Sequence, residues 1–351
     1  MQYMTFGRRT GLRVSEFALG TANFGHAWGG GTERSQAQAI FERFAGAGGT
    51  FIDTADCYNY TEAESMVGDF LRADRDHFVV SSKFAYGACE HPRISDTGNS
   101  RKSMVRAVEA SLRRLGTDYL DLYWVHFADP LTPIDEVMAS LDLLVRSGKV
   151  LYTGLSNFPA WRVSRGATLA DVRGWTPLVG IQLEYSLVER TAEREALPMS
   201  EALGLGVAVW SPLGGGLLTG KYRSGTSGRL TEWKRAVQVE DTPQKTKVLD
   251  AVLSVAGQVG ESPASVAMAW LRHRQAASTT SVIPIVGPRD LAQLDSYLGT
   301  LELVLDPVHL AQLDESSTPE LGVPHDISAG VLGRVVGGDP GNTVFPAVPV
   351  E

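Results

Sequence analysis

Two cysteines in 351 residues, Cys57 and Cys89, are too few for a disulfide framework and fit a reducing compartment. No apolar run approaches the ~18 residues needed to span a membrane, and the opening stretch MQYMTFGRRTGLRV lacks the apolar core of a signal peptide. The sequence therefore predicts a cytoplasmic protein with no membrane partner. Long Lys/Arg runs are also missing, and the formal net charge is −8. That balance argues against a nucleic-acid or anionic-membrane surface and leaves small molecules as the expected partners. No HExxH or CxxC spacing occurs, so no metal centre is expected.

What is present is a chain of 43% hydrophobic residues, long enough to bury one large α/β barrel or two ordinary domains. Eight short apolar runs decide between them: FALGTANF (17–24), TFIDTAD (50–56), HFVVSSKF (77–84), YLDLYWVHF (119–127), LYTGLSNF (151–158), LVGIQLEYS (178–186), GVAVWSP (206–212) and SVIPIVG (281–287). Helical patterns separate them. In TPIDEVMASLDLLVRSG, Thr132 and Asp135 offer a capping box, Ile134, Val137, Met138, Leu141, Leu144 and Val145 share a face, and Gly148 supplies the stop. After Asn99, Val105, Val108, Leu112 and Leu115 repeat that face before Gly116. A doubly wound sheet would show the same alternation. Eight units with no composition break near the middle favour an α/β fold of the TIM-barrel, (β/α)8, kind.

QYMTF and LRVSEF flank GRRTG and predict an N-terminal β-hairpin that plugs the barrel floor. Residues 223–245, rich in charge, Gly, Ser and Thr, predict a long loop. Residues 1–317 are expected to form the barrel and 318–351 a tail or flap on the same domain.

In such a barrel the informative residues stand where the strands end. In order these are Gly20 and Thr21, Asp53 with Tyr58, Lys83, His126, Ser156 with Asn157, Gln182, and Trp210 with Ser211. The second, third and fourth runs would be neighbours about 4.8 Å apart, so Asp53, Lys83 and His126 can converge. An unpaired buried carboxylate is costly, and Lys83 is the partner Asp53 needs. A tyrosine of pKa near ~10 is a weak acid, and a neighbouring ammonium is expected to lower it. Tyr58 then becomes a general acid and His126 a donor to a substrate carbonyl. With no Ser-His-Asp set to supply a nucleophile, a cofactor hydride is the natural candidate. Asp56 and Cys57 are expected as turn residues, and Thr61 with Glu64 as the cap of the next helix.

At these motifs the chain resembles the aldo-keto reductase family, and within it the bacterial branch related to potassium-channel β subunits. LGTANFG, FIDTADCY, SSKF, LYWVH, GLSNF, IQLEYS, VAVWSPLGGGLLTGKY and IPIVGPR carry the resemblance over nearly the whole length. It implies NADP(H)-dependent reduction of an aldehyde or ketone, with Tyr58 as proton donor assisted by Lys83, Asp53 and His126. It also implies that Ser156, Asn157 and Gln182 hold the nicotinamide carboxamide while Trp210 stacks on the ring. Gly20, Thr21, Asp53, Ser211, Leu213, Gly215, Leu217, Lys221, Gly287 and Gln293 complete the cofactor contacts, with the Gly-rich run and Lys221 at the pyrophosphate.

Arg289, at a helix start, is the expected reader of a 2′-phosphate. Tyr297 stands where many relatives carry an adenine-contacting Asn. Phe24, Trp28, Tyr58, Tyr86, His126 and Phe127 are the expected substrate contacts, suited to an aryl aldehyde, a quinone-like ketone or a keto-sugar. Two other readings remain open: a barrel lyase with Lys83 as Schiff base, and a cofactor-binding regulatory protein of the same fold with little turnover.

Overall fold

A computed structural model of the chain describes residues 1–225 and 238–350. Strands β1 (Tyr3–Thr5) and β2 (Arg13–Ser15) pair antiparallel as a hairpin. The eight strands that follow are β3 (Ala18–Gly20), β4 (Phe51–Asp53), β5 (Val79–Phe84), β6 (Leu120–Val125), β7 (Val150–Ser156), β8 (Leu178–Glu184), β9 (Gly206–Trp210) and β10 (Val282–Val286). All their pairings are parallel, and β10 closes the barrel by pairing with both β9 and β3. Each of the eight apolar runs of the sequence holds one barrel strand, so the fold is a (β/α)8 TIM barrel.

The two-residue period of a strand sorts the side chains into two cores. Phe51, Val79, Leu122, Trp124, Ala208 and Ile283 cluster inside the barrel with Phe6 and Val14 of the hairpin region. The intervening Ile52, Val80, Tyr123, Val207 and Val209 belong to the larger core shared with the helices. Continuing that period toward the strand ends places Asp53 in line with Phe51, Lys83 with Val79, and His126 with Leu122 and Trp124. The apolar residues thus fill the floor, and the polar ones reach its opposite end.

The hairpin region closes the floor. Gly7 N–H donates to the Ser281 hydroxyl at 2.8 Å, and Arg8 N–H donates to the Gly204 carbonyl at 2.8 Å, both just before barrel strands. Phe6, fully buried, meets Phe51 and Trp124 edge-on with ring centroids 5.9 and 6.1 Å away. A Cβ on Gly180 would lie 2.4 Å from the Phe6 ring, so the absence of a side chain at 180 is what admits the plug.

Helix Ile134–Arg146 buries Ile134, Val137, Met138, Leu141 and Leu144, the face its spacing predicts. Its expected capping box does not form. Pro133 is the N-cap, and the Thr132 hydroxyl donates instead to Asp129 at 2.8 Å. Asp129 also accepts the backbone N–H groups of Leu131 and Thr132, a local turn that competes successfully for the threonine. The cap expected at Thr61 is absent as well. Thr61 sits at φ 86°, and the buried Glu64 is held by Arg114 at 2.6 Å and by the Ser82 hydroxyl at 2.5 Å.

Of the loop expected over 223–245, residues 226–237 lie outside the described residues. Helix Pro243–Val259 begins within that range, capped by the Thr242 side chain. After helix Pro307–Ser317 the chain continues into helix His325–Val335, which buries no residue. That terminal segment is tied to the region after β8 by Arg194 donating to the Val323 carbonyl at 2.8 Å and by His325 with Glu195 at 3.1 Å. Among the described residues no helix is long and apolar enough to cross a membrane.

Replacing Phe6 with alanine should cost about 3–5 kcal/mol, the usual range for a fully buried phenylalanine. Denaturant titration of Phe6→Ala against the parent measures this, and an unchanged midpoint would mean that the hairpin does not close the barrel.

Candidate active site

At the carboxyl ends of the strands a cavity of about 810 Å³ opens, and Asp53, Tyr58 and His126 form part of its wall. Behind them lies Lys83, fully buried. The register places Asp53 opposite Ser81 and Lys83 opposite Trp124 on adjoining strands. Lys83 Nζ donates to Asp53 Oδ2 at 2.6 Å, to the Thr54 carbonyl at 2.8 Å and to Tyr58 Oη at 3.0 Å. All three ammonium protons are therefore used. The other oxygen of Asp53 accepts from the Ser81 hydroxyl at 2.8 Å and from Gln182 Nε2 at 3.0 Å.

Burial works against the Lys83 charge, but Asp53 and Tyr58 outweigh it, and the ammonium is held above its usual range. The Tyr58 phenol departs from expectation. Burial pushes it up to about 12, with Lys83 pulling down and Asp53 pushing further up. Sequence reasoning weighed the ammonium alone and missed the desolvation of the phenol. His126 is driven well below its ordinary value, by burial first and by Lys83 second, so it is a neutral imidazole. Its ring lies 6.0 Å from Tyr58 edge-on and stacks on Phe127 at 4.5 Å.

The backbone after β4 is shaped by three consecutive left-handed residues, Asn59 at φ 45°, Tyr60 at 47° and Thr61 at 86°. Asn59 carries much of that turn: its Nδ2 donates to the Ala22 and Phe24 carbonyls at 3.0 and 3.1 Å, and its Oδ1 accepts from Trp28 N–H at 3.0 Å. Trp28 is thereby held edge-on to both Tyr58 (5.9 Å) and Tyr60 (6.4 Å). Tyr86 and Phe127, 5.9 Å apart and partly exposed, complete an aromatic mouth with Glu90 at its rim. Phe24 is not part of it. Its ring is fully buried beneath the mouth and packs edge-on against Phe70. A lone aromatic just after a strand suits either place, and the sequence carries no signal that separates them.

The remaining predicted positions divide into walls and supports. Gly20, Asn157, Gln182, Trp210, Ser211, Leu213, Gly215, Lys221, Gly287, Arg289 and Gln293 line the cavity. Thr21, Ser156 and Leu217 lie buried behind its surface. Thr21 bonds the Asp53 carbonyl through both N–H and hydroxyl at 3.0 and 3.1 Å. The Ser156 hydroxyl accepts from Asn157 Nδ2 at 3.0 Å. Asn157 also donates to the His126 carbonyl at 3.0 Å, and its Oδ1 accepts from Trp210 Nε1 at 3.1 Å, which fixes the half-buried indole. Wall residues that sequence reasoning did not single out include Tyr60, Glu90 and Ser296. Tyr60 is carried there by a left-handed turn built without glycine, and no local pattern announces it. Among the described residues, none beyond Tyr297 lines the cavity.

The aldo/keto reductase family pattern matches residues 16–318. The chain belongs to the aldo/keto reductase family. It is 37% identical over 324 residues to the uncharacterized oxidoreductase YrpG of Bacillus subtilis, covering 90% of this chain and 95% of that one. It is 35% identical to the norsolorinic acid reductase of Aspergillus flavus, covering 90% and 80%. It is also 35% identical to the aryl-alcohol dehydrogenase [NADP(+)] of Phanerodontia chrysosporium, covering 90% and 86%. This aldo/keto reductase is accordingly an oxidoreductase.

Asp56, expected as a simple turn residue, is buried beside the site and lies close enough to Glu64 to feel its charge. Burial first, and Glu64 second, raise its carboxyl to about 8. Between about pH 4 and pH 8 the folded chain therefore holds a proton that the unfolded chain has released, so this group makes stability fall as pH rises through that window. Asp56→Asn should flatten that slope and be more stable than the parent at pH 8. Urea titrations at pH 5 and 8 check it, and identical pH dependence in the two proteins would count against the raised carboxyl.

Proposed function

We propose that this aldo/keto reductase reduces the carbonyl of a small aryl aldehyde or ketone to an alcohol, with NADPH as the hydride donor and Tyr58 as the proton donor. The reading rests on one observation above others: a lysine just behind the cavity wall, bonded at once to the carboxylate and to the tyrosine hydroxyl that share that wall with a neutral histidine.

The wall residues fit a nicotinamide dinucleotide. Gly215 and Gly216 adopt φ of 65° and 101°, and a Cβ on Gly216 would lie 3.1 Å from the Lys221 side chain, so the backbone there can be approached closely. Trp210 offers an indole already fixed by Asn157, and Lys221 and Arg289 bring two cations to the same wall. Bound there, the nicotinamide would supply the hydride to the carbonyl carbon.

The protein's own part is the proton. Tyr58 Oη accepts from Lys83, which leaves its own O–H free to donate to the carbonyl oxygen. The neutral His126 donates a hydrogen bond to that oxygen and aligns it. As the alcohol forms, Tyr58 becomes a phenolate beside the Lys83 ammonium, and solvent returns its proton. A Schiff-base role for Lys83 would need a neutral amine, and Asp53 opposes that. The aromatic mouth of Trp28, Tyr60, Tyr86 and Phe127 supports aryl substrates over keto-sugars, as does the similarity to an aryl-alcohol dehydrogenase.

Arg289 sets the cofactor preference. It stands just before the N-cap of helix Leu291–Gly299 rather than within its first turn. Asp290 is occupied in capping that helix, and Asp295 is paired with Arg43 at 2.8 Å, so both nearby carboxylates have partners of their own. A guanidinium here favours a 2′-phosphate.

Tyr58→Phe should retain cofactor binding and lose on the order of 10²- to 10⁴-fold in turnover of a benzaldehyde-type substrate. Parent-rate reduction by that variant would remove Tyr58 from the mechanism, and a keto-sugar outperforming every aryl carbonyl in kcat/KM would overturn the substrate class. NADPH should be preferred over NADH by at least roughly tenfold, about 1.4 kcal/mol. Fluorescence titration of both reduced cofactors should show that preference largely gone in Arg289→Ala, and an unchanged ratio would make Arg289 a mere surface residue.

A further inference from the structure

Cys57, immediately before the proton donor, is buried, lines the cavity, and places its sulfur 3.8 Å from His126 Nδ1. No other hydrogen-bonding side chain of the described residues is bonded to that imidazole. We propose that Cys57 is a positioning residue for the histidine: its thiol donates to Nδ1 and so fixes the proton on Nε2, the nitrogen left to meet the substrate carbonyl.

A neutral imidazole carries one N–H and one bare nitrogen, and which is which depends on the bond made by the nitrogen away from the substrate. If Nδ1 carried the proton, Nε2 would be an acceptor facing the acceptor oxygen of a carbonyl, and the contact would be repulsive. Three features favour the useful tautomer. The Cys57 thiol is held protonated, because burial and then the neighbouring Asp56 push it far up. Sulfur is a weak acceptor, so S–H to an imidazole nitrogen is the better of the two directions. The ring plane is set by stacking on Phe127 and the backbone by Asn157 on the His126 carbonyl, so the sulfur meets Nδ1 without a rotation of the ring. Cys57 thereby acts through His126 and exchanges nothing with the substrate.

This inference rests on the carbonyl-reductase reading, and its readout can be taken without turnover. Nitrogen NMR of protein labelled at its 7 histidines, with His126 assigned by loss of its signals in His126→Asn, reports the tautomer directly. The parent should show an unprotonated Nδ1 and a protonated Nε2. Cys57→Ala should give exchange between tautomers and lower kcat/KM for an aryl aldehyde by about tenfold, with the Kd for NADPH unchanged. Cys57→Ser, which restores a hydroxyl donor, should recover the Nε2–H form and most of the lost rate. A protonated Nδ1 in the parent, or a Cys57→Ala protein with the parent tautomer and the parent kcat/KM, would overturn the proposal. Either result leaves the reductase reading to be judged on Tyr58→Phe alone.

Discussion

The site depends on the buried ion pair of Asp53 and Lys83, whose side chains are 3% and 0% exposed and whose charged atoms lie 2.6 Å apart. Two charges withdrawn from water persist only when their remaining donors and acceptors are also met. Ser81 and Gln182 supply donors to the carboxylate, and the Thr54 carbonyl and Tyr58 hydroxyl supply acceptors to the ammonium. These groups come from β4, β5, β8 and the segment just after β4, so the pair is satisfied only if the barrel closes in the observed register. In that sense the fold is a device for keeping one lysine charged where no water reaches it.

That charge organises its neighbours differently according to what each must do. It opposes the desolvation of the Tyr58 phenol without cancelling it, and a phenol near 12 keeps its proton at neutral pH. Such a group is a poor acid toward water and an adequate one toward an alkoxide, a stronger base than phenolate. In the proposed reaction the proton would be held until a strong base develops beside it, and the ammonium would then stabilise the phenolate left behind. Toward His126 the same charge adds to burial in keeping the imidazole neutral, which preserves a donor without introducing a second cation. In the proposed reaction one ammonium would thus allow two neutral hydrogen-bond donors to face the same oxygen.

Much of this was legible because polar residues at strand ends interrupt apolar runs and have few physical reasons to be there. Asp53, Lys83 and His126 stood out for that reason, and the two-residue period carried them to the inner face. Where the sequence misled, a competing hydrogen bond, local or distant, or burial decided the outcome. Arg114, from a distant helix, and Ser82, from β5, hold Glu64 away from a cap. Phe24 joins the core beneath the mouth it was expected to line. The left-handed run at Asn59, Tyr60 and Thr61 was invisible because glycine is the usual mark of positive φ and none is present. The tyrosine pKa was misjudged because a sequence names the neighbouring charge and does not reveal how completely the phenol is dried.

The loop after β3 links these parts mechanically. On one side Asn59 holds its Ala22 and Phe24 carbonyls and its Trp28 N–H, which places the indole against Tyr58. The same loop reaches β10's end as well: Asn23 Nδ2 donates to the Gly287 carbonyl at 2.7 Å and Thr32 donates to the Arg289 carbonyl at 3.3 Å. The aromatic mouth of the cavity and the turn that carries Arg289 therefore hang on the same short stretch of chain. Function is grafted onto barrels through loops after the strands, which can vary without disturbing the core. Here that freedom is curtailed, because a change that moves Trp28 also pulls on Asn23 and Thr32, whose side chains hold the Gly287 and Arg289 carbonyls. A change at the mouth would act at the same time on the far wall of the cavity, which gives a physical reason for this loop to change less freely than its several glycines suggest.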